Sequence, residues 1–334
     1  MSSVIFTFRS VSEDMENKEA SGLYGNVSSN LTKKSSTVVY CKEKTGKVER
    51  FFLFPGITLY LMDIFSENTD DEVVEISTPG EDIINICYCK EGRFEAEYSP
   101  GQYFYLGEGD AVIHNLVGGG MKHSFPVLRF RGAVISVRIE TARAFCEKLS
   151  ENPGFEFLDL RKLYEIFVKF GKAAAFKDNR SLQRLFEDIY TEEFQNKTAL
   201  IKLRILEILC LLAEESEDFA SYIKCFDEQR VENIKSIRKL LIENIHTKYT
   251  QNMLSEMYSI PLTALKECFK AVYGVPLNSY MREYRIKEAA ALLKNTSLSV
   301  ADISIKVGYA NQSKFAEVFK EIMGLSPTEY RNKF

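Results

Sequence analysis

The apolar positions follow different rhythms along the chain. Between Val38 and Arg138, short runs rich in Ile, Val, Phe and Tyr are broken by Gly, Pro or acidic residues. The runs Arg50–Phe54, Ile57–Ile64, Ile83–Cys89, Arg93–Tyr98, Gln102–Leu106, Asp110–Ile113 and Leu128–Val137 read as strands. Breaks fall at Pro55-Gly56, Pro79-Gly80, Glu91-Gly92, Pro100-Gly101 and Gly107-Glu-Gly109. Many short strands at such spacing predict a β-sandwich or barrel. The segments around Gly92 and Gly101 read as successive hairpins. Residues 1–37, rich in Ser, Asn and Lys, predict no regular element.

Near Ile139 the apolar period lengthens from two to about three and a half, the spacing of a helix. Ala142–Leu149, Leu160–Phe170, Leu182–Tyr190 and Ala199–Ala213 then read as helices. The last is apolar on nearly every side, so it must be buried in a core or against a second copy of the chain. Asp218–Gln229 is polar enough to be a connector, and from Arg230 the pattern is helical to the end.

Within this last stretch one pattern occurs twice, in Thr250–Lys270 and Ser299–Lys320. Each begins with a capping hydroxyl and a short helix carrying Leu254 and Met257, or Ile303 and Val307. Ser299 and Asp302 have the spacing of a capping box. A tight turn follows, Tyr258-Ser259-Ile260 or Gly308-Tyr309-Ala310, and glycine there adopts positive φ without penalty. A second helix then turns Leu265 and Phe269, or Phe315 and Phe319, inward at i, i+4. This is helix-turn-helix geometry, whose second helix enters a DNA major groove. Between the repeats, Leu277–Lys294 predicts a helix about 27 Å long. Leu277, Met281 and Tyr284 would serve the first head, and Ile286, Ala290 and Leu293 the second. Such a rod holds two recognition helices roughly one DNA turn apart, about 34 Å.

Charge sharpens this division. The whole 334-residue chain has a net charge of −4, but Ser236–Phe334 holds 14 Lys and Arg against 9 Asp and Glu. That part is therefore +5 and the remainder −9, so only the C-terminal third suits a polyanion. No apolar run reaches the roughly 20 residues of a membrane span, and no basic-then-apolar leader marks the N-terminus for export. Seven irregularly spaced cysteines read as reduced thiols rather than a disulfide framework. Together these predict a cytoplasmic protein without a membrane association.

The helical third resembles the AraC/XylS family of bacterial regulators. The residues that carry the likeness are Phe269-Lys-Ala-Val-Tyr-Gly274, Tyr280-Met-Arg-Glu-Tyr-Arg285-Ile, Ala289–Leu293, Leu298-Ser-Val-Ala-Asp-Ile303, Val307-Gly-Tyr309 and Phe319-Lys-Glu-Ile-Met-Gly324-Leu-Ser-Pro327-Thr-Glu-Tyr330-Arg331. It covers about Ile234–Phe334. Asn311-Gln-Ser-Lys-Phe315 and the β-rich front are most similar to the branch of pyochelin-type siderophore regulators. The resemblance implies base contacts from Thr263, Lys266 and Glu267 in the first head, and from Gln312, Ser313, Ala316 and Glu317 in the second. Lys270, Lys314, Lys320 and Arg331 are placed for phosphates, which position a protein without reading sequence. Glu267 and Glu317 depart from the family, which often has Arg or another polar donor there. Either they accept from a cytosine N4 amine, or they turn away and base reading is sparse.

The resemblance also implies a cupin-like effector and dimerisation domain ahead of the DNA-binding part. The expected fold is α+β in three regions: a cupin-like β-barrel over 1–138, a helical dimerisation and linker region over 139–229, and an all-α double helix-turn-helix domain over 230–334. A barrel of this kind holds one small ligand inside. Phe52, Phe54, Tyr60, Tyr88, Tyr103, Tyr105 and Phe130 are its aromatic candidates, with Arg129, Arg131 and Glu97 as charges, although such a set also makes an ordinary core. His114 and His123 flank Gly118-Gly-Gly120, and with His246 they are the only three histidines. That is too few for the several His and a carboxylate of an enzymatic cupin, so no metal, cofactor or catalytic group is expected. Cys87 and Cys89 share one strand face, a packing position or a redox or metal switch. The expected partners are duplex DNA, a small-molecule effector, a second copy of the chain and, for an activator, RNA polymerase. Two alternatives stand beside this one. In the first, a protein partner or the regulator's own abundance replaces the ligand; in the second, a cupin enzyme is fused to a DNA-binding module.

Overall fold

A computed structural model describes residues 6–7, 34–41, 44–66, 74–75, 83–115, 122–127, 129–151, 159–171, 173–177, 179–191 and 197–333. The chain divides into two compact units, Met1–Cys225 and Phe226–Phe334. In the first unit the strands are β1 (Phe6–Thr7), β2 (Lys34–Cys41), β3 (Lys44–Phe54), β4 (Ile57–Ser66), β5 (Val74–Glu75), β6 (Ile83–Glu91), β7 (Phe94–Ser99), β8 (Gln102–Leu106), β9 (Ala111–Asn115), β10 (Lys122–Ser124) and β11 (Arg129–Arg138). Helices α1 (Ile139–Ser150) and α2 (Leu160–Phe170) follow, then β12 (Ala173–Phe176), α3 (Arg180–Ile189), α4 (Thr198–Phe219) and β13 (Ala220–Tyr222).

Eight strands form one sheet in the order β13, β12, β9, β6, β11, β4, β3, β2; β1, β5, β10, β7 and β8 lie in a second. Alternation along the strands builds two cores. One face of the large sheet sends Met62, Cys87, Val112, Phe130 and Val134 against Phe94, Ala96, Phe104 and Leu106 of the small sheet. The opposite face sends Leu59, Ile86, Ile113 and Ile135 against Leu163, Phe186, Ile205 and Ile208 of the helices. The first unit is thus layered as small sheet, large sheet, helices. Strand β6 is covered on both faces, which is why Ile83–Cys89 is apolar almost throughout.

The expected barrel is corrected here. Among the described residues no strand is hydrogen-bonded into both sheets, and β2 and β13 end the larger one. The reason is visible at Gly92. Strand β6 already has β9 and β11 on its two edges, so the chain must leave the sheet. Gly92 has φ +89°, and a Cβ there would lie 2.1 Å from the Arg129 carbonyl oxygen. It turns a corner between sheets instead of closing a hairpin, whereas Gly101 does join the paired strands β7 and β8. Two further differences are local. Lys34–Cys41, partly within the stretch read as irregular, pairs with β3, and the connector after Asp218 contains β13, which pairs with β12. Pro79-Gly80, Gly118–Gly120 and Leu128 lie outside the described residues.

Helix α4, read as apolar all round, buries Ile201, Ile205, Ile208, Leu209 and Leu212 in the helical layer. Most of its apolar surface is therefore used within the chain, with Leu203 left 63% exposed.

Candidate nucleic-acid interface

The second unit opens with β14 (Phe226–Asp227) and α5 (Glu228–Glu243), and the Asp227 carboxylate caps that helix by accepting from Arg230 N at 2.8 Å. The repeat then appears as two helix pairs, α6 (Gln251–Met257) with α7 (Leu262–Tyr273), and α9 (Val300–Lys306) with α10 (Gln312–Met323). Helix α8 (Leu277–Asn295) joins them and α11 (Pro327–Lys333) closes the unit. Each leading helix starts on the expected hydroxyl: Thr250 Oγ1 accepts from Met253 N, and Ser299 Oγ from Asp302 N, both at 3.1 Å. The capping box at Ser299 is only half formed, because Ser299 donates its hydroxyl to Asp302 Oδ2 at 2.6 Å. Aspartate is one methylene shorter than the glutamate that reaches back in a full box. Ser326 and Glu329 do make the reciprocal pair, through Ser326 N to Glu329 Oε2 and Glu329 N to Ser326 Oγ.

The spacer serves both heads as its apolar pattern implies. Leu277 and Met281 are buried near one end, and Ile286, Ala289, Ala290 and Leu293 near the other. The latter set packs with Ile303, Val307, Phe315, Val318 and Phe319. Both recognition helices end on a left-handed glycine, Gly274 with φ 82° and Gly324 with φ 76°, so their last carbonyls are closed by the same device.

This packing leaves one face of each recognition helix outward. Thr263, Lys266, Glu267 and Lys270 are exposed on α7, and Gln312, Ser313, Lys314, Glu317 and Lys320 on α10, while Ala316 is half-buried. Lys314 Nζ lies 2.9 Å from both carboxylate oxygens of Glu317. Glu321, one turn on, holds Arg282 of the spacer and is kept below the usual carboxylate range by it. Arg331, assigned to a phosphate by resemblance, is half-buried and donates to the Leu298 carbonyl, tying α11 to the loop before the second head. The side chains missed in the sequence lie on the spacer and the turns. Arg285 donates to the Thr247 carbonyl at 3.3 Å, and Tyr309 packs edge-on against Phe315 with ring centres 5.5 Å apart. Their spacing follows no helical face of a single head, so no pattern within one head pairs them.

The effector candidates do not converge on one cavity. Tyr88 faces the helical layer, stacked on Phe186 at 4.5 Å and donating to Glu187 Oε1 at 2.8 Å. Phe54 packs on Phe145, also on the helical side. Tyr60 and Phe130 lie toward the small sheet, and the Arg50 guanidinium lies 4.0 Å from the Phe52 ring centre. Tyr105 donates to Glu95 at 2.6 Å, Tyr103 pairs in register with Glu97, and Glu97 accepts from Gly101 N. Arg129 and Arg131 form ion pairs with Asp63 and Glu91. The period-two pattern accounts for part of the split, since on β11 Phe130 is buried while its neighbours Arg129 and Arg131 point the other way; the register shift between Phe52 and Phe54 adds to it on β3.

Between the sheets lies a polar set instead. His114 is fully buried with Nε2 3.4 Å from Cys87 Sγ, and its strand partner Asn85 is 1% exposed. Burial pushes His114 down to about 4 and raises both the Cys87 and Cys89 thiols, holding all three neutral near pH 7. Among the described residues no group of three His, Cys, Asp or Glu is placed to hold a metal ion. His246 sits outside this set, in the second unit, and the His123 side chain lies outside the described residues.

Residues 254–333, which span the spacer, the second head and all but the opening turn of the first, match the family described as "Helix-turn-helix domain". Residues 254–333 thus form a helix-turn-helix domain of the AraC type. The chain is 29% identical over 155 residues to the virulence regulon transcriptional activator VirF of Yersinia enterocolitica, covering 46% of this chain and 55% of VirF. It is 26% identical over 158 residues to the transcriptional activator RhaR of Mannheimia succiniciproducens, covering 47% and 50%. It is 43% identical over 67 residues to the transcriptional activator AarP of Providencia stuartii, covering 20% and 50%. The chain thus spans about half the length of these curated relatives.

Proposed function

We propose that the protein activates transcription by seating the α7 and α10 recognition helices in successive major grooves of its operator, under control of a small molecule bound by the first unit. The observation that carries the first half is the pair of exposed polar helix faces held on one spacer, whose buried residues fall near its two ends. Supporting the second half is the buried polar set between the sheets: the Asn85 Oδ1 atom has no hydrogen-bond partner among the described residues, and an orphaned buried acceptor is costly unless something donates to it. The protein works in the cytoplasm as a homodimer contacting RNA polymerase, with the exposed edge of α4 around Leu203 as the contact between copies. The phosphate-facing residues are Lys270 and Lys320; Thr263, Lys266, Glu267, Gln312, Ser313 and Glu317 face bases.

A fragment Phe226–Phe334 tests the first half. It is expected to bind duplex DNA with an affinity that falls steeply with salt, as Lys and Arg displace condensed counterions. A folded fragment without salt-sensitive binding ends the proposal. A thermal-shift screen of residues 1–225 against metabolites, siderophores and antibiotics tests the second half, since a ligand of the folded state raises its midpoint. An experimental structure in which side chains fill the space beside Asn85 and His114 would favour control by a protein partner.

A further inference from the structure

The second unit contains a cavity of about 580 Å³ that the two recognition faces do not use. Its walls are Lys248–Asn252 at the start of the first head, Arg282 and Arg285 on the spacer, and Tyr309 in the turn of the second head. Three lining side chains are cationic and none is acidic. Arg282 is engaged by Glu321. Lys248 is exposed, and the buried Nε of Arg285 has no hydrogen-bond partner among the described residues. Burial holds the Arg285 guanidinium below its usual range, so an anion at this place would stabilise its charged form. Gly308 keeps the wall close: a Cβ there would lie 2.7 Å from the Ile245 carbonyl oxygen and 3.2 Å from Arg285 Cζ.

We infer that this cavity takes a phosphate of the DNA backbone midway between the two half-sites, an assignment that rests on the DNA-binding reading above. Two recognition helices in successive major grooves leave one minor groove between them. The backbone bordering that groove must pass between the heads. The cavity is bounded by the chain entering the first head and by the turn two residues before Asn311, which caps the second recognition helix. Lys248 and Arg285 supply charge-assisted donors, and Asn252 and Tyr309 neutral ones. The intervening phosphate thereby locks the spacing of the half-sites without reading a base. Free inorganic phosphate has the same chemistry and is the competing source.

The test uses the full chain and a duplex obtained by motif selection. Single phosphates between the half-sites are replaced one at a time by uncharged methylphosphonates, and binding of the unaltered protein is compared with Lys248→Gln. One or two interior positions are expected to weaken the unaltered protein about tenfold and to leave Lys248→Gln unaffected. That variant should also bind all sequences more weakly, with a salt slope smaller by about one. Arg285→Lys, checked for an unchanged melt, should show the same loss of response. An equal penalty in unaltered and variant proteins, or silence at every interior phosphate, overturns the assignment. Silent interior phosphates combined with saturable binding of inorganic phosphate, abolished by Lys248→Gln, would place a free anion in the cavity instead and also overturn it. Failure of the unaltered protein to bind any DNA is a different result: it removes the DNA-binding reading itself and this inference with it.

Discussion

In the first head the residue held in the left-handed region of the turn is Ser259, with φ 51°; in the second it is Gly308, with φ 86°. The first turn is secured locally, by Ser255 donating to the Ile260 carbonyl at 2.6 Å. The second presses against Ile245 and Arg285 from distant parts of the unit. Their outer faces differ as well. On α7, Lys266 and Lys270 flank one exposed acid, Glu267. On α10, Lys314 is matched by Glu317, and Glu321 holds Arg282. The two heads therefore reach one fold by shared apolar positions and one glycine stop. Their surroundings and electrostatics are separate properties, set by residues that the core does not constrain.

The sharpest challenge to equivalence of the two cores is to remove one large ring from each. Phe269→Ala and Phe315→Ala empty fully buried sites, and each should cost about 3–5 kcal/mol. Because both heads share α8, chemical denaturation of Phe226–Phe334 should show one transition for either variant. Two resolved transitions would mean that the heads unfold independently.

The turns should respond in opposite directions. Gly308→Ala places a Cβ against a carbonyl at positive φ and should destabilise by about 1–3 kcal/mol. Ser259→Gly relieves a left-handed non-glycine residue and should be neutral or stabilising by about 1 kcal/mol. Thermal melts of the paired variants decide this, and a destabilising Ser259→Gly would show that the serine's contacts outweigh its strain.

Comparing the acids separates base reading from simple repulsion. If Glu267 accepts from cytosine, Glu267→Ala should relax preference at one base pair by about 1–3 kcal/mol. If it only faces the backbone, affinity should rise for all sequences alike. Glu317→Ala also frees Lys314, so it should raise affinity for all sequences alike. Motif selection with both variants measures preference, and no general gain for Glu317→Ala would show that the exposed pair has little influence on binding, as is common for such pairs.

The smallest contrast concerns the caps. Thr250→Ala and Ser299→Ala should each cost about 1 kcal/mol. The Ser299 change also removes its hydroxyl donation to Asp302 Oδ2, so it should cost slightly more than the Thr250 change. Thermal melts of the two variants check the difference.

Much of the second unit was legible because its information is local. The capping hydroxyls and the i, i+4 pairs Leu265/Phe269 and Phe315/Phe319 lie within one turn or one helix of the contacts they make. The first unit was legible element by element. Leu160–Phe170 is a helix over the expected residues, and Gln102–Leu106 a strand over the expected residues. Ala173–Phe176 escaped because three alanines carry little strand preference; it is a strand because β9 and β13 offer backbone partners on both sides.

What the residue pattern alone determined was the kind of each long element, the repeat of the two heads and the faces they leave to water, since periodicity and chain stops act within a few residues. Only the tertiary structure decided that Gly92 turns a corner between sheets, that Tyr88 faces the helices while Phe130 faces the opposing sheet, and that Arg331 is spent on the Leu298 carbonyl. It also brought Lys248, Arg285 and Tyr309 to one cavity from three separate stretches of chain. Each of those outcomes depends on which backbone edge or side chain arrives from far along the sequence, and local periodicity carries no record of such partners.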